Sequence, residues 1–279
     1  MSISLPTKGS RLLAPALTVL LIVTAWPVGR AIYTSFYNDP FTNPGARKFV
    51  GLDNYTNVLG SGEWWKSMAW ATAVVVLVVA AQILLGFLFA NVLNQLIRFA
   101  PVGRVFVLLP FAAMSFLSAY SWHAAFTNGY LNDWFRFDSL GDGGSMLALC
   151  LSEIWRGTGI VAIILAIGLQ RVSPSLMESA VADGATGRQR FTRIVVPSIA
   201  PAAAIAVIYR VLDTLRIFDA PLAIARPGSK LNPPQTWIFD TTLNRFEFGL
   251  GATMSIVFLL ISGLAGIALF WILRVRRAV

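Results

Sequence analysis

Glu178-Ser-Ala-Val-Ala-Asp-Gly-Ala185, with the run that continues to Pro197, decides how this chain is read. The stretch is polar, basic and broken by glycine, and it sits between two hydrophobic spans. A surface of that kind, held between apolar spans, marks a segment on which something docks. Ser173-Pro174 offers an N-cap followed by proline at the first helical position. Ser175 and Glu178 form an alternative capping box. Met177, Ala180, Val181 and Ala185 fall near one helical face, and Gly184 is a natural terminator. Thr186 with Gln189 is a second capping box, opening a short helix through Phe191 and Val195, and Pro197 starts the next span. The expectation is two short helices meeting at a glycine-centred bend. Met177, Val181 and Phe191 would be apolar knobs among Glu178, Asp183 and three arginines. This suits a helix laid in a partner's groove, with charges fixing the register. The chemistry leaves a second reading, an amphipathic segment on lipid headgroups with snorkelling arginines.

Outward from that segment, the composition sets the solvent. The 279 residues are 56% apolar and 13% charged, with mean hydropathy +0.68. Soluble domains carry about 25% charged residues, so most of this chain faces lipid. A spanning helix needs about 20 mainly apolar residues. Uncharged runs cover 12–29, 67–97, 105–132, 194–209 and 248–273, and a sixth, 147–170, is interrupted only by Glu153 and Arg156. Six membrane helices are expected, at about 12–36, 67–96, 105–126, 146–170, 197–221 and 249–273. The runs lack the short alternating pattern of a barrel, and helices satisfy their own backbone groups in lipid. Trp64 and Trp65, beside Glu63 and Lys66, read as an interface anchor.

With the amino terminus inside, eleven Lys and Arg fall on the inner side, among them Arg171, Arg188, Arg190 and Arg193, against seven outside. Only Glu178 and Asp183 of the acidic residues lie inside, against eight in the outer loops. Both termini are therefore expected in the cytoplasm. The net charge of +9 is a topology signal, and no nucleic acid partner is expected. Cys150, the sole cysteine, excludes an internal disulfide, and with His123 the sole histidine no metal site is expected. Lys8 and Arg11 ahead of an apolar run resemble a signal peptide, but no small-x-small cleavage site follows Ala25-Trp26-Pro27, so an uncleaved first helix is expected.

The fifth span carries Arg210, Asp213, Arg216 and Asp219, one every third residue. On a helix these are neighbours of alternating sign. A charge inside a membrane costs about 2.5–3.5 kcal/mol on insertion scales, which pairing reduces. The ladder reads either as a polar lining or latch of a translocation path, or as a structural device that fixes packing. Glu153 and Arg156 of the fourth span are candidate partners. Tyr120, Trp122, His123, Asn128 and Asn132, near the outer end of the third span, suit a hydroxyl-rich ligand. An interfacial aromatic belt accounts for them as well.

The run from Glu178 to Pro197 resembles the EAA signature of permease subunits in ABC importers. It keeps Glu178, Ala180, Asp183, Gly184, Ala185, Phe191, Ile194 and Pro197, and departs at Ser179 and Val196. Phe49-Val-Gly-Leu-Asp-Asn-Tyr55, Pro110, Ile154-Trp-Arg-Gly157, Gly168-Leu-Gln170, Phe218-Asp219, Phe246 and Gly249 resemble phrases of the maltose-type carbohydrate branch, in order. Tyr120-Ser-Trp122 and Arg216-Ile-Phe-Asp219 look like the actinobacterial trehalose importers. The usual glycine-rich phrase after the fifth helix is replaced by Ala225-Arg-Pro-Gly-Ser229.

The resemblance implies an all-α membrane protein of the type I ABC importer permease fold. It implies one transmembrane domain over 1–279, with a cytoplasmic coupling segment at 171–197 between helices four and five, multi-pass in the plasma (inner) membrane. Glu178, Ala180, Val181, Asp183, Gly184, Ala185 and Phe191 would engage the ATPase, and Pro227, Gly228 and Ser229 would contact the binding protein. Implied partners are a second permease, two ATPase subunits, an extracytoplasmic binding (lipo)protein, a sugar such as trehalose, and membrane lipid. No GxxxxGK[ST] loop is present, so ATP and Mg2+ would belong to the partner ATPase. This chain would bind no cofactor and be no enzyme. An ion-coupled secondary transporter using the Arg210–Asp219 ladder, and a membrane-embedded glycosyltransferase, are the rival readings.

Overall fold

The computed structural model describes residues 7–38, 47–96, 100–127, 130–135, 142–224 and 233–273. They form helices α1 (Thr7–Ser35), α2 (Asp53–Gly60), α3 (Gly62–Gln95), α4 (Ala100–Ala112), α5 (Ser115–Thr127) and α6 (Tyr130–Phe135). Then follow α7 (Asp142–Leu169), α8 (Pro174–Ala182), α9 (Gly187–Arg190), α10 (Val196–Leu215), α11 (Asp219–Ile224), α12 (Pro234–Phe239) and α13 (Phe248–Ile272). Strands β1 (Tyr37–Asn38) and β2 (Lys48–Phe49) pair antiparallel, Tyr37 opposite Phe49. Among the described residues, five helical stretches are long and apolar enough to cross a membrane, and α4 with α5 makes a sixth if the bent pair is one span.

The break corrects the expectation of one continuous third helix. The axes of α4 and α5 differ by 86°. Pro110 supplies no N–H to the α4 ladder, and its carbonyl instead accepts from Ala113 at 3.2 Å, closing the helix. The outer segments hold more structure than expected: α2 and the first turn of α3 lie in 38–66, α6 in 127–145, and α12 with a π turn at Asp240–Asn244 in 222–248. The fifth span ends at Leu215 rather than 221, and α11 restarts at Asp219.

The fold divides into two compact units. One comprises Met1–Trp64 and Trp237–Leu260. There Asn54, nearly fully buried, donates to the carbonyls of Ser35 (2.9 Å) and Tyr37 (3.0 Å), and Thr253 donates to Ser35 at 3.2 Å. These bonds satisfy carbonyls orphaned at the end of α1. A Cβ on Gly249 would lie 1.8 Å from the Tyr37 oxygen, so only glycine fits there. Trp64 is fully buried against Trp237, with centroids 6.0 Å apart. It is core and not an interface anchor, while Trp65 is half exposed.

The other unit comprises Trp65–Thr236 and Ile261–Val279. Its centre is α7, against which α4, α5 and α10 pack. Close approach depends on glycine: a Cβ on Gly159 would meet the Val107 carbonyl oxygen at 2.0 Å, and one on Gly168 would meet Ala202 at 2.7 Å. Small residues at crossings let helices touch where lipid supplies no hydrophobic drive. Ala90, Val161, Leu165, Ile199 and Ala206 make one buried cluster, and Ala119, Leu149, Ile217 and Ala220 another. Cys150 is buried beside Val74 and Val78.

Candidate functional site

The segment between α7 and α10 is built from local chemistry alone. Ser173 caps α8 by backbone conformation with Pro174 behind it, and its hydroxyl pairs with Ser175 at 2.7 Å. The Ser175–Glu178 box therefore does not form. At the other end the Ala185 N–H donates to Ala180 (2.9 Å) and the Gly184 N–H to Val181 (3.0 Å), with Gly184 at φ +73°. This is a Schellman motif, whose left-handed residue favours glycine. The Thr186–Gln189 capping box is complete, at 3.3 Å and 2.8 Å. The second helix does not stop before Pro197. It runs without interruption from Gly187 to Leu215, because a π turn at Phe191–Val195 widens the ladder just ahead of the proline ring.

α8 buries none of its residues. Glu178 and Asp183 are exposed, Val181 is 54% exposed, and Ala180 and Ala185 are half-buried. Phe191 faces inward in part, its ring edge-on to Phe87 at 5.7 Å. The result is a helix–bend–helix that meets α3 through the Phe191–Phe87 contact and is continuous with a spanning helix.

A second constellation lies inside the same unit. Arg210 has no exposed surface, and Glu153 is 1% exposed. The Arg210 guanidinium donates to the Gln82 amide oxygen (2.9 Å), to Glu153 Oε2 (3.4 Å), to Thr214 Oγ1 (3.4 Å) and to Asp213. Gln82 Nε2 donates to the Glu153 carbonyl at 2.6 Å. Arg156 holds Glu153 at 3.0 Å and approaches Asp213 at 3.9 Å. Two arginines and two carboxylates thus balance, with Arg156 (17%) and Asp213 (30%) reaching accessible surface. A Cβ on Gly157 would lie 2.2 Å from Gln82 Nε2 and 2.5 Å from Arg210 Nη2, so glycine makes room for the guanidinium.

The ladder along 210–219 is therefore only half formed. Arg216 follows the last turn of α10 and donates to the Leu212 carbonyl at 3.2 Å, and Asp219 opens α11. The helix ends at Leu215 and turns them away from Arg210 and Asp213. Glu153 and Arg156 supply the other half. Gln82 and Gly157 complete the cluster unexpectedly. Gln82 has a sequence signal, being the one amide in the middle of the second apolar run.

At the α4–α5 break, Ala113, Leu117, Ser118, Ser121, Trp122, Ala125 and Trp155 line a groove of about 460 Å³. Tyr120 points elsewhere, 56% exposed and not in this lining. Asn132 lies on α6, with its side chain outside the described set. Asn128, Pro227, Gly228 and Ser229 lie outside the described residues.

Comparison with known proteins gives a consistent answer. The family described as binding-protein-dependent transport system inner membrane component matches residues 82–276. The chain is 30% identical over 251 residues to the trehalose transport system permease protein SugA of Mycobacterium tuberculosis, covering 88% of this chain and 82% of that one. It is 30% identical over 260 residues to the trehalose/maltose transport system permease protein MalF of Thermococcus litoralis, covering 89% and 88%. A crystal structure of a bacterial ABC transporter that imports the acidic polysaccharide alginate has a chain of similar fold. The TM-score is 0.77 at 19% identity, covering 95% of this chain and 94% of that one.

Proposed function

This chain belongs to the family of inner membrane components of binding-protein-dependent transport systems, as a non-catalytic permease of a carbohydrate ABC importer, and we propose that it carries an uncharged disaccharide of the trehalose type. The balanced Arg156–Glu153–Arg210–Asp213 cluster supports this cargo, since its two positive and two negative groups leave no net charge to attract an anion. The similarity to a trehalose permease and to a trehalose/maltose permease agrees with it. In this proposal the parts of the cluster that reach accessible surface, Arg156 and Asp213, face the sugar's path, and buried Arg210 holds them in place.

We further propose that α8, the Gly184 bend and the start of the long helix at Gly187 form the cytoplasmic handle that sits in the groove of an ATPase, one of two ATPase subunits in the assembly that bind ATP and Mg2+. The single observation that carries this reading is the wholly unburied α8. It presents Glu178, Val181 and Asp183 on a bend locked by a Schellman motif and a capping box. Movement of the handle passes into α10 through an uninterrupted helix. Nucleotide binding then shifts the population between inward- and outward-facing states. A second permease completes the pathway, and an extracytoplasmic binding protein delivers the sugar. The segment at 227–229 is a candidate contact for it.

The test is Glu178→Lys in the reconstituted importer. The subunit is expected to insert and assemble, while ATP hydrolysis no longer drives sugar uptake. Full uptake by that variant would remove α8 from the coupling role.

A further inference from the structure

The geometry points to the groove at the α4–α5 break as a stacking site for one pyranose ring of the cargo, separate from the charge cluster. This rests on the reading of the chain as a sugar permease. Ser118, Ser121, Trp122 and Ala125 recur at the i, i+3, i+4, i+7 spacing that places them on one face of α5. Trp155 of α7 closes the opposite wall and is 44% exposed. Two indoles beside an open space of about 460 Å³ fall within the size of small-molecule sites. An indole face carries negative quadrupole charge, and the C–H groups on one face of a pyranose carry partial positive charge, so the two stack.

The floor of the groove identifies the ligand further. Ser118 is 4% exposed, and its Oγ is buried with no hydrogen-bond partner. An unpaired buried hydroxyl is destabilising, and a sugar hydroxyl would relieve that cost. Ser121 adds an exposed hydroxyl on the same face. The first N–H groups of α5 lack helical acceptors, as at any helix start, up to Ser118, whose N–H donates to the Met114 carbonyl at 3.0 Å. Broken helices place such ends at substrates in other membrane carriers. Ser115, at the start of α5 and outside the groove lining, donates to Glu153 at 3.3 Å, which ties α5 to α7. A lipid tail would use the indoles but leave Ser118 unsatisfied, so hydroxyl-rich cargo fits better.

Two measurements on the complete importer test this. Cys150 is this chain's sole native cysteine and is buried, so label on this subunit's own band, after the subunits are separated, reports on a thiol introduced in the groove by Ser121→Cys. Sugar delivered by the loaded binding protein is expected to slow maleimide labelling of that thiol by about tenfold, since such sites bury most of their ligand. Trp122→Leu is expected to lower sugar uptake by about tenfold and Trp122→Phe to restore most of it, because the stack needs an aromatic face rather than apolar bulk. Labelling indifferent to sugar, or Trp122→Leu transporting like the parent, overturns the site in favour of a lipid-filled groove. Loss of the second permease from purified Trp122→Leu overturns it in favour of a subunit seam. A parent importer that moves no sugar at all overturns the proposed function, and this inference with it.

Discussion

Arg210 is fully buried in a spanning helix, so the cost of its charge is offset only by its partners. Glu153 and Asp213 share that work unequally. Both lie near both arginines, but Glu153 is 1% exposed whereas Asp213 is 30% exposed and reaches accessible surface. Breaking a buried pair from one side costs about 3–5 kcal/mol, because the remaining charge stays buried. Glu153→Gln should therefore destabilise the purified subunit by about that much in thermal unfolding, and Asp213→Asn by clearly less. Equal losses would mean the pair is not read correctly from burial. At the surface, the Asn244 amide, and then Arg245 at 2.8 Å, hold the Asp240 carboxyl below its usual range. A depressed carboxylate stabilises above its unfolded pKa of about 3.9 and loses that contribution as pH falls through the folded value. The stability difference between parent and Asp240→Asn should thus be present at neutral pH, begin to fall near pH 4 and be lost only once the pH has passed below the depressed folded value. These residues were legible to different degrees. Charges in the apolar runs point to a cluster, but Arg216 and Asp219 belong to it only in a helix that runs to 221, and α10 ends at Leu215, one residue before Arg216 and four before Asp219.

At the scale of elements, local signals served well and distant contacts did not. The Gly184 bend and the Thr186–Gln189 box were readable because cap chemistry lies within a few residues. The break between α4 and α5 was not, since hydropathy is the same on both sides. Pro110 permits the break, and the seating of Val107 on Gly159 of another helix accompanies it. Likewise, Pro197 suggested a helix start, but a π turn absorbs its ring inside a continuous helix. Glycine substitutions separate these cases. Gly159→Ala forces a backbone carbonyl at 2.0 Å to move and should severely impair folded yield. Gly263→Ala, with nothing within 4 Å, should be tolerated or slightly stabilising in its helix. Gly184→Ala meets no atom within 4 Å but is held at φ +73°. It should cost about 1 kcal/mol locally and loosen coupling rather than assembly. The measurement is ATP hydrolysed per sugar moved, which should rise.

For the whole molecule, the decisive property is how charge is distributed. Composition and basic bias identified a multi-pass membrane chain before any helix was placed, because lipid penalises unpaired polar groups everywhere at once. Its cargo class was less legible, since specificity depends on which side chains meet across sequence distances such as Gln82 to Arg210. That meeting also separates the importer from its ion-coupled rival. A carrier driven by protons or sodium needs an intramembrane carboxylate free to exchange its ion. Here Glu153 is buried and held by two arginines, and Asp213 is paired with Arg210. Energy is then expected to enter from outside the span, through α8. In vesicles holding the full assembly, a protonophore should leave sugar uptake unchanged as long as ATP is maintained. ATP depletion should abolish uptake even with an imposed proton gradient. Uptake that follows the gradient and ignores ATP would transfer the driving force to the Glu153–Asp213 carboxylates and reduce α8 to a surface helix.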